Sequence, residues 1–227
     1  MYSDKKLVIL DADGTTVDAF EAISSTFSEH DMNIGDLHRF QKRHNLFKYL
    51  GGAKEFPKNL RKQLTKVSRE SLIITLTEIY RERCKLYQGM RDTIQRLIDE
   101  PEIIVGIVTR NITNEPVETL TRLYERESVN VDGLDFIIHL PLREKKVDTF
   151  RGLLNKYGTN PALCYVCGDE FKDYDAAVST GMHPLIASYG FENFERLTEK
   201  YAIPPEVISS TPESLSKRLF HALSLGV

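Results

Sequence analysis

Residues 7–15 read LVILDADGT, and this stretch decides how the rest of the chain is interpreted. Four apolar residues, typical of a buried strand, lead into Asp11 and Asp13, which are separated by one residue, and then into Gly14. A buried ionised carboxylate costs several kcal/mol unless it meets a cation or hydrogen-bond donors. We therefore predict a divalent metal with oxygen ligands at the end of this strand, where Gly14 allows the chain to turn.

A second apolar run ends in acidic residues in the same way. Residues 163–167 (LCYVC) are followed by Gly168, Asp169 and Glu170, and Asp173 comes one helical turn after Asp169. Because both runs finish in carboxylates, their ends are predicted to form one shared site.

Strand and helix patterns alternate along most of the chain. A third apolar run, residues 103–108 (IIVGIV), ends in Thr109, and later patterns predict a helix beginning near residue 116, a strand over residues 136–139 and a helix over residues 147–157. Such alternation favours a parallel sheet with helices on both faces. Ligands bind these sheets at the carboxyl ends of the strands, so the polar residues after the three runs are expected to lie together.

One long segment, residues 19–87, lacks strand patterns. We predict that it forms helices over residues 20–29, 37–50, 59–64 and 67–87, with a break at Gly51 and Gly52. The segment leaves the chain just after the first acidic pair, so it is expected to be a lobe beside the site. The predicted organisation is a core of residues 1–18 and 88–227 and a helical lobe of residues 19–87.

The composition is that of a globular protein. With 227 residues, 41% hydrophobic and 28% charged, the chain can bury the core of one domain with a smaller insertion. The net charge of −3 gives no basic field for nucleic acid or an anionic membrane. No apolar run approaches the roughly 18 residues of a membrane helix, and residues 1–6 leave no room for a signal peptide. We expect a cytoplasmic monomer or homodimer with no nucleic-acid or membrane partner, and buried free thiols at Cys84, Cys164 and Cys167.

Taken in order, these features resemble the four motifs of the haloacid dehalogenase-like hydrolase superfamily, in its phosphoglycolate phosphatase-like branch. The matching positions are DADGT at residues 11–15, the hydroxyl residue Thr109, a lysine at Lys145 or Lys146, and Gly168-Asp169 with Asp173. The resemblance implies an α/β fold: a Rossmann-like, doubly wound parallel sheet core with a small all-helical cap inserted after the first strand.

The resemblance also implies roles for the acidic residues. Asp11 would be the nucleophile that forms an aspartyl-phosphate, and Asp13 would be the general acid and then the general base. The implied metal is Mg²⁺, held by Asp11, the backbone carbonyl of Asp13 and Asp169. Glu170 or Asp173 could be a further ligand or could orient the other ligands.

The remaining site residues would hold the substrate. Thr109 would donate its hydroxyl to the phosphoryl group, with Arg110 and Asn111 as further contacts. A lysine would neutralise charge on nucleophile and phosphate, and Lys145 is slightly favoured over Lys146. In the lobe, Lys54 is the preferred contact for an anionic leaving group. The more common role of such a lysine is that of a solvated side chain in an ordinary turn between helices.

The sequence thus predicts a Mg²⁺-dependent phosphomonoesterase that acts on a small phosphorylated metabolite. Asp13 argues against a dehalogenase, which typically lacks this second acid, and Lys42, Lys48 and Lys54 have no context that marks a Schiff-base lysine for phosphonate hydrolysis. A sugar phosphomutase shares the motifs and stays open as an alternative. So does a non-catalytic module that binds Mg²⁺ and phosphate.

Overall fold

The computed structural model describes residues 2–32 and 67–226. A six-stranded parallel sheet with the strand order β3-β2-β1-β4-β5-β6 runs through these residues. Its strands are β1 (Lys6–Leu10), β2 (Ile103–Thr109), β3 (Phe136–His139), β4 (Cys164–Gly168), β5 (His183–Ala187) and β6 (Ile208–Ser209). The parallel α/β sheet predicted from the alternating patterns is confirmed.

Helices connect and cover the strands. They are α1 (Ala19–Glu29), α2 (Arg69–Glu82), α3 (Met90–Asp99), α4 (Pro116–Arg126), α5 (Lys146–Tyr157), α6 (Phe171–Ser179) and α7 (Pro212–Ala222), together with a π-helix (Arg196–Lys200) and 3₁₀ turns at Val131–Gly133, Pro161–Leu163 and Pro205–Val207. Local signals explain several ends. The Asp18 side chain caps α1 by accepting from the Glu21 N–H, and α5 ends at Gly158 in the left-handed conformation, as its sequence predicts.

The central strand β1 is buried on both faces, which explains its continuous apolar sequence. Val8 and Leu10 pack in the cluster that includes residues of α1, α2, α3, α4 and α7. Leu7 and Ile9 point to the opposite face and pack with residues of α5 and α6, such as Phe150. Cys84, Cys164 and Cys167 are buried free thiols, as predicted.

The strand register brings the three polar strand ends to one edge of the sheet. Leu10, the last residue of β1, lies opposite Ile107 of β2 on one side and Cys167 of β4 on the other. Asp11 extends this pairing because its N–H donates to the Cys167 carbonyl at 2.8 Å. The residues that follow β1, β2 and β4 therefore meet, as expected for a parallel sheet.

The predicted lobe leaves and rejoins the core at one place. Val17 pairs antiparallel with Leu86, and the Tyr87 N–H donates to the Thr16 carbonyl at 3.0 Å. Helices α1 and α2 correspond to the predicted helices over residues 20–29 and 67–87. The predicted helices over residues 37–50 and 59–64, the Gly51-Gly52 break and Lys54 lie outside the described residues, so the division into core and cap stays a prediction. None of the helices within residues 2–32 and 67–226 has the length and apolar character needed to cross a membrane.

Gly106 allows a close approach between β2 and β3. A Cβ at this position would overlap the carbonyl oxygen and the ring of Phe136, whereas a Cβ at Gly152 of α5 would meet no atom. We predict that Gly106→Ala lowers the free energy of unfolding by about 2 kcal/mol through overpacking. Gly152→Ala, the matched control, should raise it by roughly 0.5 to 1 kcal/mol through helix propensity. Urea denaturation measures both changes, and equal effects of the two substitutions would contradict this account.

Candidate active site

Three carboxylates form a buried cluster at the carboxyl edge of the sheet. Asp11 follows β1, Asp169 follows β4, and Asp173 lies in the first turn of α6. Each offers an oxygen, and these oxygens all lie within 4.8 Å of one another. Asp169 and Asp173 are almost fully buried, and Asp11 is 8% exposed. The two acidic strand ends thus share one site, as the sequence predicts.

Lys146 is the cation of this cluster. Its Nζ donates to Asp11 Oδ2 at 2.8 Å and to Asp173 Oδ1 at 2.5 Å. Burial alone would lower the pKa of Lys146, but the carboxylates of Asp11 and Asp173 outweigh it and raise that pKa. Lys146 is therefore held as a charged ammonium group.

The sequence slightly favours Lys145 as the lysine of the site, but the structure places Lys146, not Lys145, among the carboxylates. Helix α5 begins at Lys146, and Lys145 is its N-cap residue with an extended backbone conformation. A step of one residue at a helix start changes the direction of the side chain by about 100°. Consequently Lys145 is exposed, whereas Lys146 is buried among the carboxylates.

Asp11 is accessible to a ligand only in part and is strongly desolvated. Its Oδ1 accepts from the Ala12 N–H at 2.8 Å, and its Oδ2 accepts from Lys146. Burial raises the pKa of Asp11 to about 7, while the Lys146 ammonium acts in the opposite direction. Asp173 adds to the rise through charge repulsion. A further cation beside Asp11 would therefore favour its charged form.

Asp13 accepts its side-chain hydrogen bonds from neutral donors. Tyr80 Oη donates to Asp13 Oδ1 at 2.8 Å, and Asn111 Nδ2 donates to Oδ1 and Oδ2, each at 3.0 Å. Burial raises the pKa of Asp13 to about 6, against the opposing effect of these hydrogen bonds from Tyr80 and Asn111. The two neighbouring acids of the first motif are thus in chemically different surroundings.

Asn111 and Tyr80 extend the set of residues identified from the sequence. Asn111 was expected to contact the substrate, but its side chain binds Asp13. Tyr80, from α2, was not identified at all, because it belongs to no motif and is distant from Asp13 in the chain. The weak signal that could have found it is an aromatic hydroxyl on the mainly apolar face of α2, beside Leu76 and Ile79.

Thr109, the last residue of β2, and Arg110, which follows it, have side chains in different surroundings. Thr109 is fully buried, and its Oγ1 accepts from the Asn111 N–H at 3.1 Å, which leaves its own O–H to donate. Arg110 donates from Nη2 to the Glu144 carbonyl at 2.9 Å and lines a groove of about 530 Å³ beside α5 and α6. Lys146 also lines this groove, so Arg110 lies next to the carboxylate cluster and not within it. Lys54 lies outside the described residues.

The surroundings of Asp169 fit a metal ligand. Its Oδ2 accepts from the Phe191 N–H at 2.5 Å, whereas Oδ1 has, among residues 2–32 and 67–226, only a long contact of 3.4 Å from Thr15 Oγ1. Gly14, with φ +82°, and Gly190 lie against this carboxylate so closely that a Cβ on either would overlap it. The carboxylate is thus held in one orientation, with Oδ1 the less occupied oxygen.

The charge balance of the site also favours a bound cation. Burial raises the pKa of Asp169 well above its ordinary value, and repulsion from Asp11 adds to the rise. Within the described residues, Lys146 is the cation in contact with the cluster, and its single positive charge does not balance three carboxylates. Oxygen ligands and excess negative charge are what Mg²⁺ requires, and Asp11, Asp169 and Asp173 each offer an oxygen at this place.

Comparison with known proteins identifies the family. The model of the family described as haloacid dehalogenase-like hydrolase matches residues 8–187. The chain belongs to this family. The matched region contains Asp11, Lys146, Asp169 and Asp173, the residues of the carboxylate cluster.

Individual relatives cover almost the whole chain. A phosphoglycolate phosphatase from Aliivibrio fischeri is 24% identical over 225 residues, which is 92% of this chain and 94% of that protein. A haloacid dehalogenase-like family protein from Streptococcus pneumoniae has a TM-score of 0.64 at 18% identity, covering 95% of this chain and 99% of that one. A structure from Thermotoga maritima, named as a candidate β-phosphoglucomutase, has a TM-score of 0.62 at 19% identity. The match covers 95% of this chain and 99% of that one. The two structures share the fold of this chain.

Removing the Lys146 charge tests the electrostatic account of the site. In the presence of a chelator, Lys146→Met should lower the free energy of unfolding by about 3 to 5 kcal/mol, because Asp11 and Asp173 would be buried without a counter-charge. Lys145→Met makes the same chemical change on the neighbouring, exposed residue. It should alter the free energy of unfolding by less than about 0.5 kcal/mol. Urea titrations of both variants measure these values. A similar, small effect of both substitutions would reject the assignment of Lys146.

Proposed function

We propose that this hydrolase is a Mg²⁺-dependent phosphomonoesterase that acts through an aspartyl-phosphate on Asp11. The observation that carries the proposal is the pairing of two buried acids with different surroundings: Asp11 against Lys146, and Asp13 against neutral donors. A nucleophile needs nearby positive charge to approach an anionic phosphoryl group. An acid–base group needs a carboxyl group that changes its protonation near neutral pH. Asp11, beside Lys146, fits the requirement for a nucleophile, and Asp13 fits the requirement for an acid–base group.

In the first step, a carboxylate oxygen of Asp11 attacks phosphorus. The ester P–O bond breaks, its electron pair goes to the leaving oxygen, and the Asp13 carboxyl group gives that oxygen a proton. Lys146 offsets negative charge on Asp11 and the phosphoryl group, and Thr109 donates its hydroxyl to a phosphoryl oxygen. The products of this step are the leaving alcohol and the aspartyl-phosphate.

In the second step, water attacks the phosphorus of the aspartyl-phosphate. Asp13, now ionised, accepts a proton from this water as general base. The bond between phosphorus and the Asp11 oxygen breaks, which releases inorganic phosphate and restores both carboxyl groups to their starting states. Burial of Asp11 limits attack by other water molecules on the intermediate.

Asp11, the backbone carbonyl of Asp13 and Asp169 would hold Mg²⁺. When bound, this ion supplies positive charge that draws the phosphoryl oxygens towards Asp11 and favours ionised carboxylates. Asp173 would keep Lys146 in place, because its Oδ1 accepts a hydrogen bond from the Lys146 Nζ at 2.5 Å.

The proposed substrate is a small phosphorylated metabolite, and phosphoglycolate is the first compound to test, since a relative over most of the chain is named for it. Arg110 beside the cluster and Lys54 in the lobe would contact the non-transferred part of the substrate. A cytoplasmic location, a monomeric or homodimeric state and the absence of nucleic-acid and membrane partners stay predictions.

A phosphomutase and a non-catalytic module are the alternatives, and product analysis separates them. A phosphatase releases inorganic phosphate from an aryl phosphate and from phosphoglycolate. A mutase incubated with a sugar phosphate would form the isomeric sugar phosphate with little free phosphate. A binding module would release none from any of these compounds.

Substitution of the nucleophile should remove turnover while the fold persists. Asp11→Asn is expected to lower kcat by several orders of magnitude, because an amide does not form the acyl-phosphate. Asp92→Asn, a change of the same kind on a side chain that is 76% exposed, should have no effect. Phosphate release and circular dichroism check the two variants. A near-native rate for Asp11→Asn would refute the mechanism.

Metal removal gives an independent prediction. Exhaustive chelation should abolish phosphate release, and added Mg²⁺ should restore it, because the carboxylate cluster then regains its counter-charge. A matched sample treated with chelator already saturated with Mg²⁺ controls for the chelator itself. Full activity after chelation would remove the metal from the proposal.

A further inference from the structure

The Asp13 carboxylate is not symmetrically held. Its Oδ1 accepts two hydrogen bonds, from Tyr80 Oη at 2.8 Å and from Asn111 Nδ2 at 3.0 Å. Its Oδ2 accepts only from Asn111 Nδ2, at 3.0 Å, within the described part of the chain. Since a carboxylate oxygen has two lone pairs, Oδ1 is saturated and Oδ2 keeps one position free.

The orientation of Asn111 is set by its neighbours. The Asn111 Oδ1 accepts from the backbone N–H of Thr113 at 2.9 Å and also from the Thr113 hydroxyl. Because the amide oxygen is committed to these donors, the NH₂ group must face Asp13. Asn111 is therefore a donor to Asp13 and not an acceptor from it.

The backbone of Tyr80 is held by contacts at the C-terminal end of its helix. Arg126 of α4 donates from Nη1 to the carbonyls of Tyr80 and Arg81, at 3.0 and 2.6 Å, and from Nη2 to the carbonyl of Cys84. These bonds satisfy carbonyls at the C-terminal end of α2, where the helix itself offers no partner. The ring of Tyr80 is 1% exposed. The position of its hydroxyl is thus determined by packing and by this arginine.

From this asymmetry we propose that Tyr80 is a positioning residue for the acid–base step: its hydroxyl fixes Asp13 Oδ1, so that Oδ2 is the atom that exchanges the proton. The inference rests on the proposed phosphatase function. In the first step the proton moves from Oδ2 to the leaving oxygen as the ester bond breaks, and in the second step Oδ2 takes a proton from water. The bonds of Tyr80 and Asn111 to Oδ1 fit both states, because Oδ1 is an acceptor whether or not Oδ2 carries the proton.

The test compares two leaving groups. Tyr80→Phe keeps the buried ring and removes only the hydroxyl, so kcat/KM for an alkyl phosphate, whose leaving oxygen needs a proton, should fall about 10-fold. For p-nitrophenyl phosphate, whose leaving group needs none, kcat/KM should change less than about 2-fold. The ratio of the two values does not depend on the fraction of active enzyme, so partial misfolding cannot imitate the result.

Tyr124→Phe is the matched control. Tyr124 is also a fully buried helical tyrosine, but its hydroxyl contacts Thr16 Oγ1 at 2.9 Å and not Asp13. Its substitution should leave the ratio of the two kcat/KM values unchanged. A second check is a double-mutant cycle: in an Asp13→Asn background, Tyr80→Phe should no longer alter the ratio, because the proton donor is already absent.

Each outcome decides the question. A lower ratio for Tyr80→Phe alone, lost in the Asp13→Asn background, supports the assignment. An unchanged ratio, an equal loss for both substrates, or the same shift for Tyr124→Phe overturns it and leaves Tyr80 as a packing residue, while the proposed function stands. If the unmodified protein releases no phosphate from either compound, the proposed function fails and this inference fails with it.

Discussion

The contact of Lys146 with Asp11 and Asp173 is the interaction on which the site depends, since it holds two carboxylates of a buried acidic cluster together. Its position is unfavourable in one respect: Lys146 is the first residue of α5, and the N-terminal end of a helix repels a cation. The two carboxylates outweigh this repulsion. A residue kept against a local preference is typical of functional sites, where chemistry and not stability decides the choice.

The fold provides the geometry for this contact through two parallel neighbours. Asp11 and Asp169 follow β1 and β4, which pair directly, and α5 and α6 then bring Lys146 and Asp173 over the same edge. Gly14 and Gly190 allow the backbone to pass close to Asp169. Any side chain at these two positions would displace the carboxylate, so the glycines are required by the site as much as by the turn.

The sequence predicts the part of the site that depends on strand ends. Apolar runs locate β1, β2 and β4, and parallel pairing then brings Asp11, Thr109 and Asp169 together without further information. The choice between Lys145 and Lys146 could not be made in this way, because it depends on the residue at which α5 begins, and helix boundaries are the least reliable part of a sequence-based prediction.

The contacts of the site that the sequence does not predict are made between residues far apart in the chain. Asn111 lies at the predicted edge, but its contact with Asp13 was not predicted, because its amide orientation depends on Thr113. Tyr80 reaches Asp13 only through tertiary packing of α2 on α4, which no local pattern encodes. The glycine contacts of Asp169 are likewise invisible before the turn at Gly14 and the loop at Gly190 are folded against each other.

The position of Tyr80 changes what the predicted lobe means for function. The segment of residues 19–87 is predicted to be a helical lobe beside the site, yet α1 and α2 contribute Ile23, Phe27 and Leu72 to the same buried cluster as β1. Tyr80 then places a hydrogen bond from this segment on Asp13. An exchange of the whole segment would therefore alter the acid–base residue and the core packing together with any substrate contacts. A clean comparison of specificity must retain α1 and α2 and replace only what lies between them, because only then does Asp13 keep its partner.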